Sequence, residues 1–368
     1  MLIFRDKMRY TLPFLPVFLC GSKYHSKNDE HDKRNILKKH IEKTFPYCKA
    51  IILERDFQFG NSTKDYLGYN NIFLNNLMQV EHIAALFAKK IIIIHETIST
   101  GVEVGMFAVF SLLARKMCVI CPDAFSIEED KLGNVIRLAF LKNHENENHI
   151  HLIRYYPDIE IFRYSKNKSD YYNYFHNHEI GTELGRKVNL FINKSLTREY
   201  DFFICRGFFD RVSANIQAIQ YTVHKEEKKV YAFIHPDTLL IHLCALILLK
   251  KNKNELRKPK RIIQHVDYIQ KEYTRILRDS IVYYDTNELS MYEINVHMNF
   301  SMSIELRQAI GYFLYMLQGT QFIHLEAIDK EELNIRKITF TQELLNMEDN
   351  LRGIIVEQEE TEFARKVL

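Results

Sequence analysis

The sequence predicts an α/β protein: a doubly wound parallel sheet followed by a mostly helical C-terminal domain. Three observations predict it. Apolar, β-branched runs too short for globular helices, above all the four isoleucines at 91–94, read as buried parallel strands. These runs alternate with amphipathic stretches of helical length, as βαβ crossovers require. Short polar turns follow the strands: Gly21-Ser22, Arg55-Asp56, His95-Glu96 and Pro122-Asp123. Right-handed crossovers place these turns on one rim, where ligands bind in open α/β sheets.

Taken in order, residues 17–20 read as the first strand and 31–45 as a charged amphipathic helix. Residues 50–54 (AIILE) read as a second strand. Residues 71–88 carry apolar side chains near helical period at Leu74, Leu77, Met78, Ile83, Leu86 and Phe87. A strand at 91–95, a helix at 101–115 and a strand at 117–121 follow. Shorter strands are expected at 149–155 and 159–164, a polar aromatic loop at 165–178 and a helix at 183–195. The domain boundary is placed near residue 200, dividing 1–200 from 201–368. Beyond it, helices are expected at 210–218, 238–251, 262–279, 302–317 and 343–350. Short strands are expected at 320–325, 337–340 and 354–357.

With 368 residues, 46% hydrophobic and 26% charged, the chain is of ordinary globular composition. A net charge of +3 gives no global field for nucleic acid, so any basic footprint is local. The densest cluster is KKNKNELRKPKR, with Lys250, Lys251, Lys253, Arg257, Lys258, Lys260 and Arg261. It reads either as a nucleic-acid contact or as a solvated face. Cys118 and Cys121 form a CxxC without a second pair, inside an expected strand, so buried reduced thiols are expected rather than a metal site. Pro13 and Pro16 interrupt the apolar N-terminal patch, and the run at 239–249 is half a membrane span. A cytoplasmic location is expected, with no cofactor and no metal.

The loop and helix entry Ser99-Thr100-Gly101-Val102-Glu103-Val104-Gly105 carries the sharpest chemical signal. An acidic residue at a helix start is either favoured by the helix dipole or is a chemical group. Ser99 or Thr100 either caps the helix or bonds a sugar hydroxyl or phosphate. Gly21 and Ser22 are either an ordinary turn or a backbone cradle. Asp56 and Asp123 either hold a base or ribose or simply end their strands. His95 reads as a rim histidine or an acid/base helper. The aromatic run Tyr171-Tyr172-Asn173-Tyr174-Phe175 reads as an interface, a core edge or a base-stacking loop.

A strand ending FLCGS, a second ending in an acidic loop, and VEHIAALFAKKIIIIHETISTGVEVGMFAVFSLLARKMCVIC together resemble the nucleoside 2-deoxyribosyltransferase-like proteins. More narrowly, the chain is similar to the deoxyribosyltransferase-like toxin effectors encoded beside retron reverse transcriptases in bacterial anti-phage systems. The resemblance covers roughly residues 15–125. It implies that Glu103, as the Glu of Gly-x-Glu-x-Gly, is the nucleophile in cleavage of an N-glycosidic bond. It implies substrate contacts around Gly21, Ser22, Asp56, Glu96, Ser99, Thr100, Gly101 and Asp123. Gly101 would admit substrate to the backbone and Gly105 would allow tight helix packing. Family members often carry an aspartate in this loop, where the chain has only Glu96 and, from another loop, Asp56. The implied substrate is a nucleotide, nucleoside or nicotinamide dinucleotide. The implied partners are a reverse transcriptase and its small DNA–RNA product (msDNA), which hold the toxin inactive, together with further copies of the chain. The competing expectations are a nucleotide-sensing module that cleaves nothing and a nucleic-acid-binding partner.

Overall fold

The computed structural model describes residues 1–21, 32–56, 72–74, 76–122, 150–156, 173–176, 179–194, 196–207, 216–298, 304–328 and 335–358. The chain divides into two compact units. One comprises Phe14–Gly60 and Glu81–Leu196; the other gathers Met1–Pro13, Asn61–Val80 and Thr197–Leu368. A single boundary near residue 200 therefore does not describe the division. The first strands, β1 (Leu2–Phe4) and β2 (Met8–Thr11), belong with the C-terminal part because they pair with strands there.

The first unit runs β3 (Leu15–Gly21), α1 (Lys33–Thr44), β4 (Cys48–Ile51), α2 (Leu53–Asp56), α3 (Leu77–Phe87, from Glu81 onward in this unit) and β5 (Lys90–Ile94). It continues with α4 (Ile98–Ala108), α5 (Ser111–Ala114), β6 (Met117–Pro122) and β7 (His151–Tyr155). A small hairpin of β8 (Phe175–His176) and β9 (Glu179–Ile180) and then α6 (Thr182–Asn193) close it. The sheet order is β4-β3-β5-β6-β7 and every pair is parallel. Counted within the sheet this is 2-1-3-4-5, an order whose direction reverses between β3 and β5. All residues of β3, β5 and β6 are buried, which explains their apolar character; the exception, Lys90 at the start of β5, donates to the Lys194 carbonyl. Each isoleucine of β5 contributes about 1.5–3 kcal/mol by leaving water.

Two elements differ from the expected pattern. The second strand stops at Ile51 and the chain turns into α2, so Glu54 is a helix residue. The helix expected at 101–115 starts earlier, at Ile98, and is broken at Phe110, whose extended backbone (φ −101°, ψ 111°) separates α4 from α5. The strand expected at 159–164 lies outside the described residues.

The second unit is not mostly helical. It contains β10 (Glu199–Arg206), β11 (Ile216–His224), β12 (Lys229–Ile234), α7 (Pro236–Leu248), α8 (Lys250–Leu256), β13 (Lys260–Arg261) and α9 (Ile262–Tyr284). Then come β14 (Glu293–Met298), α10 (Leu306–Gly319), β15 (Ile323–Ala327), β16 (Ile335–Phe340), α11 (Gln342–Leu345), α12 (Glu348–Leu351) and β17 (Ile355–Glu357). A mixed sheet ordered β14-β12-β11-β10-β2 forms its centre, with a three-stranded sheet β13-β16-β15 beside it and the pair β1-β17. The end of the helix expected at 210–218 is strand β11. β10 and β12 alternate buried residues with more accessible ones, the period-two pattern of a half-buried strand. Every residue of α7 is buried, so the apolar run at 239–249 is core helix. No helix among the described residues is long and apolar enough to cross a membrane.

Candidate active site

The first unit brings its chemistry together at the switch point between β3 and β5. Gly21 ends β3 with φ +82°, and a Cβ there would lie 2.3 Å from the Ile94 carbonyl oxygen at the end of β5. Only glycine takes that backbone and tolerates that approach. The sheet itself therefore accounts for Gly21. Ser22 and Asp123 lie outside the described residues.

Glu103 sits deeper in its helix than its position in the motif implies. Thr97, not Ser99 or Thr100, is the N-cap of α4: its hydroxyl accepts the Thr100 N–H at 3.4 Å, and the Thr100 hydroxyl accepts the Thr97 N–H at 3.2 Å. Ser99, exposed, and Gly101 are early helical residues. Glu103 thus occupies the second turn, beyond the range over which the helix dipole acts strongly. Dipole electrostatics does not explain it. Nor does Gly105 permit tight packing within the fold, since nothing lies within 4 Å of where its Cβ would be.

The Glu103 carboxylate lies near the buried Cys20 thiol at the end of β3, which favours its ionised form, while the thiol itself points to the Ile92 carbonyl at 3.9 Å. Its Oε2 is shielded from solvent and has no hydrogen-bond partner among the described residues. An orphaned buried acceptor costs about 1–3 kcal/mol. Burial, then the charge of Glu54, push the Glu103 carboxyl up to about 7, against the opposing pull of Arg34 and Cys20. Glu81 on α3 is a second acid of the same cluster. Burial, then the charges of Glu103 and Glu54, push it up to about 8. Glu81 belongs to no motif in the sequence; its one signal is a carboxylate beside His82 in the otherwise apolar stretch VEHIAALFA preceding β5.

A buried cation balances this cluster. The Arg34 side chain is wholly buried and donates to Glu54 at 2.8 Å and to Asp32 at 3.0 and 3.2 Å. Asp32 also caps α1 by accepting the Arg34 N–H at 2.9 Å.

His95, buried after β5, lies 2.8 Å through Nδ1 from the Thr100 hydroxyl. That hydroxyl gives its one proton to the Thr97 carbonyl at 2.7 Å, so it accepts from His95 and Nδ1 carries the proton. His95 therefore holds the turn that opens α4. Glu96 accepts from Lys33 at the start of α1 and from the Tyr155 hydroxyl, and Lys33 also donates to Tyr155 at 3.0 Å. This triad ties α1, the loop after β5 and the end of β7 together. Asp56 is buried against its own helix, accepting the Ile52 N–H at 2.8 Å, with Arg55 at 3.6 Å. Burial raises its carboxyl above the ordinary value. Local structure thus accounts for Asp56 and Glu96, and neither joins the Glu103 cluster in the contacts seen.

The basic segment lies in the second unit, and four of its seven basic residues have acidic partners. Lys258 and Lys260 pair with Glu255, Lys253 with Glu348 at 2.6 Å and Lys251 with Glu272 at 3.7 Å. Arg257 lies 6.0 Å over the Phe340 ring. Lys250 and Arg261 are exposed. The segment is a face of ion pairs rather than a continuous cationic track. Of the aromatic run, Tyr171 and Tyr172 lie outside the described residues, while Phe175 is buried edge-on against Tyr155 at 5.2 Å.

The fold is thus a parallel α/β sheet of the kind that binds ligands at its switch point, with a half-buried carboxylate cluster at that place. Residues 30–187 match the family described as STM3845 retron effector protein. The matched stretch runs from just before α1 into α6 and contains Arg34, Glu54, Glu81 and Glu103. This match supports a retron effector, and with it a part in antiviral defence and association with retron components. No curated protein matches the chain.

Proposed function

We propose that this chain is a toxin effector that cleaves an N-glycosidic bond of a nucleotide, nucleoside or nicotinamide dinucleotide. Glu103 is the nucleophile and Glu81 the proton donor. One observation carries the proposal: a half-buried carboxylate at the sheet's switch point with an oxygen that no described group satisfies. Such an oxygen keeps a lone pair that no described group of the fold uses, and bonding to an electron-poor anomeric carbon would use it.

In the first step Glu103 attacks C1 of the sugar and the C1–N bond breaks. Its electron pair goes to the base, which takes the proton of Glu81. In the second step the Glu81 carboxylate removes a proton from water, or from an incoming base, which attacks C1 and frees Glu103. Crowded carboxyls support this division of labour, because they cannot all ionise together and one stays protonated near neutral pH. Arg34 keeps Glu103 the more acidic of the pair. The reverse transcriptase and its DNA–RNA product would restrain this activity until phage infection.

The test is mass spectrometry of nucleotides, nucleosides and dinucleotides incubated with the full chain and with Glu103→Gln. Base release by the parent chain, lowered a thousandfold or more in the variant, is the expected result. Nucleotide binding without base release by the parent chain would make the site a sensor instead.

A further inference from the structure

The second unit holds a cavity of about 130 Å³ where α7 gives way to α8. Ala245 and Leu248 of α7, Leu351 of α12 and Ile355 of β17 supply its apolar lining. The first three are buried, so the cavity opens onto core. An apolar cavity of about 150 Å³ holds one benzene molecule. This one therefore has room for a single branched aliphatic side chain.

The mouth has the opposite character. Lys250 and Arg352 also line the cavity, and both are exposed. The Arg5 guanidinium stands beside the lining residue Gly353, with Nη1 3.9 Å from where a Cβ there would be. None of these three cations has an acidic partner among the described residues. The one carboxylate of the lining, Glu348, already accepts from Lys253 at 2.6 Å. An apolar interior under unmatched positive charge selects a ligand with a small aliphatic body and an anionic head. A nucleobase does not suit it. Apart from Glu348 and the two cations, no lining side chain is polar, so the edge of a base would be buried without partners. Inorganic phosphate would leave the apolar lining unused.

We propose that this cavity binds a carboxylate that bears a branched aliphatic side chain. That chemistry belongs to a polypeptide chain ending in leucine or valine and to a free branched-chain acid. The aliphatic group lies against Leu248 and Leu351, and the carboxylate meets Arg352 and Lys250 at the mouth. The site lies in a different unit from Glu103 and does not rest on the proposed reaction.

Isothermal titration of the full chain tests it. The probes are N-acetyl-leucine, N-acetyl-leucinamide, N-acetylglycine, isovalerate and a hexapeptide ending in leucine. N-acetyl-leucine is expected to bind with a millimolar dissociation constant. The amide lacks the charge and the glycine derivative lacks the side chain, so each is expected to bind about tenfold more weakly or worse. Lys250→Gln together with Arg352→Gln is expected to lose binding and to keep the parent's melting temperature, since both side chains are exposed. A hexapeptide that binds more tightly than N-acetyl-leucine supports the proposal and assigns the site to a chain end. Binding of isovalerate without the hexapeptide supports it and assigns the site to a free acid. No binding of N-acetyl-leucine at tens of millimolar overturns the proposal. So does equal affinity for the amide or for the glycine derivative, and so does binding that survives the double substitution. A chain that ignores N-acetyl-leucine but loses single-stranded DNA on that substitution assigns the cations to nucleic acid and equally overturns it.

Discussion

The wholly buried guanidinium of Arg34 donates to Glu54 at 2.8 Å and so places a fixed positive charge beside the carboxylate cluster. It bonds the nearly wholly buried Asp32 as well. Replacing Arg34 by Met leaves Asp32 unpaired and removes the charge that lowers the Glu103 carboxyl. Loss of about 3–5 kcal/mol in a denaturant titration is expected. Arg34→Lys, which keeps the charge but not the fork, is expected to retain part of that stability and to be measurably folded.

The activity profile with pH follows from the two acids. Glu103 must be ionised to attack, and its carboxyl titrates near about 7. Glu81 must be protonated to assist the leaving base, and its carboxyl titrates near about 8. A narrow bell in kcat/KM, rising through the lower value and falling through the upper, is expected from initial rates of base release. Glu81→Gln is expected to lower the rate by about 10²–10⁴-fold and to abolish the alkaline fall. An alkaline limb that survives Glu81→Gln would remove Glu81 from the mechanism.

The same shifts set a stability slope. Both carboxyls lie above the ordinary value of 4.5 in the folded chain, so between about 4.5 and about 8 the folded state holds more protons than the unfolded one. Stability contributed by these groups is therefore full at acid pH and falls as pH rises through that window. Glu103→Gln cannot ionise and is expected to gain on the order of 2 kcal/mol over the parent at pH 8, with little gain at pH 5. Melting curves at the two values check this. An equal gain at both would show that the carboxyl does not titrate in the window.

Gly21→Ala is expected to be among the more damaging single-methyl additions in the first unit. The positive φ alone costs about 1–2 kcal/mol, and the contact with the Ile94 carbonyl adds to it. Chemical denaturation measures the loss. If the loss is small, β3 and β5 can part at their ends without cost to the fold.

In the basic segment, pairing decides the outcome. Neutralising Lys253 strands Glu348 and is expected to cost up to about 1 kcal/mol of stability. Replacing the exposed Lys250 and Arg261 is expected to leave stability unchanged within about 0.5 kcal/mol. If these two carry a nucleic-acid contact, their loss would lower the salt slope of binding by about two phosphate neutralisations, read by titration at several salt concentrations.

The parallel sheet was legible because its strands are buried on both faces. Ile91–Ile94 and the stretch from Val17 to Cys20 are apolar without a gap, and no other element tolerates that pattern so briefly. The mixed sheet of the second unit escaped because its strands are half-buried. In Glu199–Arg206 and Lys229–Ile234 burial alternates, but Phe203, Cys205, Tyr231 and Phe233 stand on the less buried side with Glu199, Asp201 and Lys229, so hydropathy alternates only weakly. β1 and β2 escaped for a different reason, since their partners lie far along the chain: Leu2 pairs with Glu357 and Met8 with Phe202.

Glu103 was visible as a residue between two glycines, but its setting was not. Local spacing determined that a carboxylate stands near the carboxyl end of the isoleucine strand, and that strands and helices alternate around it. Only tertiary packing decided that Thr97 begins the helix, that Glu81 and Glu54 crowd Glu103, and that Arg34 is enclosed with them. Burial and long-range charge set a carboxyl's proton affinity, and both are made by residues brought together from three separate helices and a strand. Neighbours along the chain carry no record of that meeting.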